Sequence, residues 1–113
     1  MKLVFPNGEH AQVLLSHGVN RVGSAADADI RLDDPDIAPI HCEIHVTHAG
    51  ANLQVPAGGG AVTVNGKTLF QNTAVKVSAG SRYGLMGPNG RGKSTILRLM
   101  STHQLPTLTA RSA

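Results

Sequence analysis

The sequence predicts a mainly β protein, a β-sandwich of short antiparallel strands that is followed by a glycine-rich loop and a short α-helix. Over the first eighty-odd residues, short apolar or alternating runs recur with Gly, Asn, Asp and Pro between them, which is typical of strands joined by turns. No stretch in that part has the apolar spacing of a helix of three turns. After Gly92 the apolar residues are instead spaced as in a helix.

The predicted strands follow one another in chain order, and a turn signal ends each of them. They are KLVF, AQVLL, NRVG, ADIRL, CEIHVTH, NLQV, AVTV, KTLF and AVKV. The alternation is clearest in CEIHVTH, because successive side chains of a strand point to opposite faces. Cys42, Ile44 and Val46 then share one face, which we predict to face the core, while Glu43 and His45 lie on the other.

The last predicted element is a helix within KSTILRLMSTHQL. Ile96, Leu97 and Met100 have helical spacing, and Pro106 ends the pattern. We therefore expect a sandwich over residues 1–86. Residues 87–113 would form a loop, a C-terminal helix and a frayed tail that are not an independent domain.

Length and composition limit the classes of protein. The chain has 113 residues, enough for one domain, and 41% of them are hydrophobic. No apolar run is long enough to span a membrane, and the N-terminus does not have the pattern of a secretory signal. The single cysteine, Cys42, excludes an intramolecular disulfide. We expect a cytoplasmic protein without a membrane partner.

Charge is unevenly distributed along the chain. All seven acidic residues lie within residues 1–43, whereas residues 44–113 hold basic residues and no acid. A basic half could favour nucleic acid, or it could be a segment that merely lacks acids. Since only three aromatic residues are available to stack on bases, we do not expect a nucleic-acid partner.

The segment RVGSAADADIRLDDPDIAPIHCEI, followed later by VNG, resembles a forkhead-associated (FHA) domain. Members of that family have a Gly-Arg pair after a strand, an acidic loop that ends in Asp-Ile, and a Ser-Arg-x-His segment. An Asn-Gly-Thr-x-Val-Asn-Gly turn follows. The resemblance covers about residues 1–85 and implies an eleven-strand sandwich whose loops bind phosphothreonine peptides.

Three positions depart from the family pattern. Ser24 stands where the family has Arg, Ala38 where it has Ser, and Gly60 where it has the first Asn. Scaffold positions are retained, so the predicted loop surface comprises Ser24, Ala38, His41, Gly60, Asn65 and Gly66. A phosphate group needs a cationic fork and hydroxyl or amide donors. Arg21 is a weak substitute, since on a strand it would face the other side from Ser24.

The resemblance therefore predicts a divergent FHA-like interaction module that contacts a protein partner without binding phosphothreonine. A plain sandwich with no ligand remains an alternative. A metal site is not expected. His41 and His45 share a strand face with Glu43, but four residues along a strand span about 13 Å, which is too far for one ion.

The stretch GPNGRGKST matches the Walker A pattern, with Gly87, Gly92, Lys93 and Ser94 at the defining positions. In such a loop, backbone N–H groups face the β-phosphate, the lysine reaches the β- and γ-phosphates, and the Ser94 hydroxyl would hold Mg²⁺. The predicted nucleotide-binding residues are Gly87, Asn89, Gly90, Arg91, Gly92, Lys93, Ser94 and Thr95.

The run KTLFQNTAVKVSAGSRYGLMGPNGRGKSTILRLM, over about residues 67–104, resembles the start of an ATP-binding cassette of the soluble, ribosome-associated ABC-F type. The resemblance implies ATP with Mg²⁺ as a ligand, although no cofactor is required by the sandwich. No acidic residue follows Glu43, so a Walker B Asp and a catalytic Glu are missing, as is the Leu-Ser-Gly-Gly signature. We expect no enzyme activity and no ribosome partner.

Three interpretations stay open at this point: the interaction module, a nucleotide-binding fragment without hydrolysis, and a truncated or engineered hybrid without a ligand.

Overall fold

The computed structural model describes residues 1–64, 66–77, 80–86 and 94–100, apart from the side chain of Ser94. These residues form eleven strands and contain no helix. The strands are β1 (Lys2–Val4), β2 (Val13–Leu14), β3 (Gly18–Gly23), β4 (Ile30–Arg31), β5 (Cys42–Thr47), β6 (Gly50–Val55), β7 (Ala61–Val64), β8 (Lys67–Leu69), β9 (Thr73–Val77), β10 (Arg82–Met86) and β11 (Ser94–Met100).

Two sheets form the sandwich. One has six strands in the order β2-β1-β11-β10-β7-β8, and the other has five in the order β4-β3-β5-β6-β9. The pairings between the described strands are antiparallel, except that β4 runs parallel to β3. The predicted β-sandwich is therefore confirmed. The number of described strands is the eleven that the family resemblance implies, although the last of them lies beyond residue 85.

The core lies between the two sheets and is built by alternation along the strands. In β5 the side chains of Cys42, Ile44 and Val46 are buried, as the sequence predicts. In the other sheet Leu85 and Leu97 are fully buried and come from neighbouring strands. Aliphatic side chains dominate this core. Tyr83 is the largest fully buried side chain among the described residues.

The predicted C-terminal helix is wrong, because residues 94–100 form strand β11. This strand lies between β1 and β10 and pairs with both, with Leu3 opposite Leu99 and Leu85 opposite Thr95. Thr95, Leu97 and Leu99 are buried, whereas Arg98 and Met100 are exposed, which is the period of a strand. A helix beginning at Ser94 would instead bury Ile96 and Met100. Strands β1 and β10 each offer an edge to which β11 hydrogen-bonds. Pairing with both strands outweighs the local helical spacing of the apolar residues.

The register brings most of the chain's longer connections to one end of the sandwich, which we call the loop end. There β3 ends and β5 begins beside it, since Val22 is opposite Cys42. Ala61, Met86 and Ser94 are opposite one another across β7, β10 and β11. The loop end therefore receives residues 24–29, 32–41, 56–60 and 70–72. Residues 87–93, which connect β10 to β11, lie outside the described part of the chain.

Candidate functional site

At the loop end, residues 24 and 25 are hydrogen-bonded to the loop between β4 and β5. The N–H of Ser24 donates to the carbonyl of Ala38 at 3.0 Å, and the N–H of Ala25 donates to the carbonyl of Pro39 at 3.1 Å. A Cβ at Gly23 would lie 1.9 Å from the Pro39 carbonyl oxygen, so only glycine allows this approach. The two loops therefore form one surface.

The hydroxyl of Ser24 is used within that surface. Its Oγ donates to the carbonyl of Ile37 at 2.8 Å, and the side chain is partly buried. Asp29, a retained scaffold position, accepts a hydrogen bond from the N–H of Arg21 at 2.9 Å. Ser24 thus stabilises the loop, and its only side-chain donor already has a partner.

His41 connects this surface to a second loop. Its buried ring accepts a hydrogen bond at Nδ1 from the N–H of Ala38 at 3.2 Å, and Nε2 lies 2.8 Å from the carbonyl oxygen of Ala61. Nδ1 must be unprotonated to accept, so Nε2 carries the proton and donates. Burial lowers the pKa of His41 below its ordinary value, and the hydrogen bond to Ala61 opposes that shift in part. The imidazole is therefore neutral and links two backbone groups.

Gly60 lies against the face of the His41 ring. A Cβ there would be 2.1 Å from Cε1 of His41, and the Gly60 N–H donates to the His41 carbonyl at 3.2 Å. A Cβ at Gly59 would lie 2.7 Å from that carbonyl oxygen. Where the family resemblance expects an Asn, this chain needs a residue without a side chain.

These loops border a groove of about 750 Å³, the loop groove, which is lined by residues 35–39, 41, 58–61, 70, 71 and 86. The lining includes the buried Ile37, together with Pro39 and Met86. Phe70, from the turn between β8 and β9, also lines it and is 68% exposed. Such an open apolar groove with an aromatic side chain suits contact with a peptide.

Among the described residues, the charge around the loop groove is negative. The loops of residues 24–29 and 32–41 carry five aspartates: Asp27, Asp29, Asp33, Asp34 and Asp36. The one guanidinium between them, that of Arg31, lies 4.0 Å from the Asp33 carboxylate. The groove lining within the described residues contains no lysine or arginine. From the described residues, an anionic ligand therefore meets like charge here.

The structure brings together Ser24, Ala38, His41 and Gly60, four of the six residues predicted for the loop surface. Gly66 lies in the turn between β7 and β8, where Val64 is opposite Lys67, and this is the other end of the sheet. Asn65 lies outside the described residues. Sequence reasoning missed Phe70 and Met86, because neither belongs to a motif and only the topology brings them to the groove.

The residues predicted to bind nucleotide fall mostly outside the described part of the chain, namely Gly87, Asn89, Gly90, Arg91, Gly92 and Lys93. Ser94 and Thr95 are the first residues of β11, and Thr95 is buried opposite Leu85. In the Walker A geometry both would open a helix. The backbone of β11 does not provide that helix N-terminus.

Two reactive side chains of β5, Cys42 and His45, are inaccessible or have a structural partner. Burial raises the pKa of Cys42 to about 12, and the nearby Glu43 carboxylate adds to this, so the thiol is unreactive. Nε2 of His45 lies 3.0 Å from Oε1 of Glu43 on the outer face of β5. Throughout residues 1–64, 66–77, 80–86 and 94–100, no three side chains are grouped as metal ligands. No helix long and apolar enough to cross a membrane occurs in the same residues.

The FHA domain family model matches residues 20–85. The structure resembles the N-terminal FHA domain of Rad53 from S. cerevisiae, solved with a phosphothreonine peptide, with a TM-score of 0.78, 14% identity and coverage of 95% of this chain and 97% of that one. It also resembles the FhaA FHA domain, solved with the intracellular domain of Rv3910, at a TM-score of 0.69 and 26% identity over 86% of this chain and 98% of that one.

A second family model, the ABC transporter, matches residues 70–110. ABC transporter F family member 4 from Arabidopsis thaliana is 50% identical over 46 residues, which are 41% of this chain. The chain spans only 6% of that protein's length. Both predicted resemblances are therefore confirmed, and they overlap over residues 70–85.

Proposed function

Because the chain belongs to the FHA domain family, we propose that it is an interaction module that binds a protein partner at its loop end without recognising phosphothreonine. FHA domains are interaction modules and not enzymes. The single observation that carries the proposal is the use of the Ser24 hydroxyl, which donates to the Ile37 carbonyl. Ala38 and Gly60 have no polar side-chain atoms, so these three positions offer no free side-chain donor to a phosphate.

The negative charge of the loops supports the same proposal. A phosphothreonine carries a charge of about −1.5 to −2 at pH 7 and needs cationic partners. Asp36 lines the loop groove, and no described cation pairs with its carboxylate. A phosphate in this position would be repelled, whereas an uncharged or cationic peptide would not.

The test restores the missing donors. Ser24→Arg combined with Ala38→Ser should give measurable affinity for a phosphothreonine peptide. The wild-type chain lacks several charge-assisted hydrogen bonds to the phosphate, so its dissociation constant should be no lower than about 1 mM. Isothermal titration calorimetry with the phosphorylated and unphosphorylated forms of one peptide measures the difference. Binding of the phosphorylated form to the wild-type chain, at least tenfold tighter than the unphosphorylated form, would contradict the proposal.

A second candidate function is binding of a nucleotide with Mg²⁺, without hydrolysis, by residues 87–95. The match of the ABC transporter model to residues 70–110 favours it. The position of β11 opposes it, since Leu97 and Leu99 are fully buried in the sandwich. Converting residues 94–100 into a helix would expose both side chains at about 1.5–3 kcal/mol each, besides the lost pairing with β1 and β10.

The nucleotide candidate makes a separate prediction. If it is correct, adding Mg-ATP shifts the ¹⁵N–¹H resonances of the Gly87, Gly90, Gly92 and Lys93 amides, and Lys93→Ala removes the response. Mg-ATP is added to about 5 mM, a concentration well above the dissociation constant expected even of an imperfect loop. Wild-type spectra that do not change at that concentration would exclude the candidate. Chemical shifts that change equally in the Lys93→Ala variant would indicate non-specific anion binding instead.

A further inference from the structure

The loop groove has a largely apolar lining, and the described loops beside it carry several aspartates. Its lining includes Ile37, Pro39, Phe70 and Met86, and Phe70 is exposed to 68% without any described ring contact. Aromatic side chains, including Phe, are enriched at the cores of protein interfaces relative to the rest of the surface. Phe70 is therefore the side chain that a partner would cover.

Asp36 provides the only carboxylate among the described residues that line the groove. The backbone N–H of Asp36 donates to Oδ1 of Asp34 at 2.9 Å, so the two aspartates are held close together in one turn. No hydrogen bond or ion pair from a described residue reaches the Asp36 carboxylate. Asp33 and Asp34 extend the negative surface along the same loop, and Arg31 offsets only the first of them.

From this juxtaposition we propose that the loop groove binds an unphosphorylated peptide segment in which apolar residues are flanked by lysine or arginine. The apolar side chains lie against Phe70, Met86 and Ile37, and the cationic side chains lie near Asp36 and Asp34. The inference rests on the proposed function and names the chemistry of its partner. Rim charges of this kind mainly select the partner and accelerate association, while the apolar contacts supply most of the affinity.

The experiment begins with a random twelve-residue peptide library displayed on phage and selected on the full chain. We expect the enriched sequences to contain apolar residues together with lysine or arginine. Sequences enriched in Asp, Glu or no charged residue would overturn the proposed partner chemistry, as would the absence of any enrichment. These outcomes would not decide the proposed function, because that is tested independently by the phosphothreonine titration of the wild-type chain and the Ser24→Arg, Ala38→Ser variant.

Variants then test the location of the binding site with one enriched peptide, measured by fluorescence anisotropy. Phe70→Ala should weaken binding by about tenfold, as for an aromatic interface residue. The matched control is Leu14→Ala, since Leu14 is 72% exposed and lies opposite Lys2, away from the loop end. An equal effect of both variants, or no effect of Phe70→Ala, would overturn the assignment of the loop groove.

The charge contribution has its own matched pair. Asp36→Asn and Ala49→Lys each raise the net charge by one, but Ala49 is exposed in the turn after β5, at the end opposite the loop groove. Asp36→Asn should weaken binding about two- to fivefold, the range for exposed ion pairs, and more so at low salt. Ala49→Lys should have a smaller effect. Equal effects of the two substitutions would show that only the net charge matters and would overturn the role of Asp36.

Discussion

His41 joins two loops because both of its ring nitrogens have backbone partners, the N–H of Ala38 and the carbonyl of Ala61. The sequence predicted its structural role through the family resemblance, but not the tautomer or the two loops that it connects. Those follow from the path of the backbone. The departures at Ser24, Ala38 and Gly60 were likewise visible in the sequence, yet the inward use of the Ser24 hydroxyl required the loop geometry.

The neutral state of His41 predicts a pH dependence of stability. Burial holds its folded-state pKa below the ordinary value of 6.5, so the unfolded chain binds more protons in the interval between the two values. The contribution of the neutral His41 to the free energy of unfolding should therefore be fully present above pH 6.5. It should fall as the pH drops below 6.5, by at most about 1.4 kcal/mol per unit. Urea unfolding at several pH values measures it.

The matching variants for this pH dependence are His41→Gln and His17→Gln. The first removes the buried imidazole and should flatten the stability profile below pH 6.5 as well as lowering stability throughout. The second replaces an exposed histidine and should leave the profile close to that of the wild-type chain. A wild-type profile that is flat or rises toward low pH would contradict the neutral assignment of His41.

Gly60 and Gly58 lie in the same loop, but glycine is needed for different reasons: lack of space for a side chain at Gly60 and a positive φ at Gly58. Gly60→Ala would force the buried His41 ring to move and should cost about 1–3 kcal/mol, as overpacking does. Gly58 has a φ of +82° with open space around its Cβ position, so Gly58→Ala should cost only about 1 kcal/mol of backbone strain. Thermal unfolding of both variants compares the costs. A smaller loss for Gly60→Ala would show that the ring has room to shift.

Among the elements, β11 is where the sequence prediction failed and where the reason is clearest. The segment TILRLM fits two periods, since Ile96, Leu97 and Met100 are spaced as in a helix while Thr95, Leu97 and Leu99 alternate as in a strand. The strand β5 has only one matching period and was predicted correctly. Local spacing alone could not decide between the two for residues 94–100, and the neighbouring strands β1 and β10 did.

The strand assignment of β11 predicts which side chains matter. Leu99→Ala should destabilise the chain by about 2–5 kcal/mol because its side chain is fully buried. Met100→Ala should cost less than about 1 kcal/mol, since Met100 is 38% exposed and contributes little to the core. Chemical denaturation measures both free energies of unfolding. The reverse order of the two costs would support the helical spacing instead.

At the scale of the whole molecule, β11 connects the N-terminal strands to the rest of their sheet. β1 pairs with β2 and β11, so without β11 the pair β1 and β2 has no described hydrogen-bonded link to β10. The domain boundary that the sequence suggested after residue 86 therefore separates β11 from the sheet that contains it. The family match ends at residue 85, before this strand begins.

Truncation tests that dependence. A chain of residues 1–86 should lack a cooperative thermal transition, because it loses a central strand and the buried Leu97 and Leu99. A chain of residues 1–100 keeps every described strand and should unfold cooperatively. Circular dichroism at increasing temperature distinguishes them. A cooperative transition in the shorter chain would show that the sandwich is complete by residue 86.

The pairing of Lys2 with Met100 also determines when the protein can fold during its synthesis. Contacts between residues so distant in the chain make loop closure entropically costly and slow the folding of β proteins relative to helical ones. The six-stranded sheet cannot close until residue 100 has left the ribosome. Until then β1 and β10 each lack the neighbour that β11 provides, and unpaired strand edges of this kind favour association with other chains.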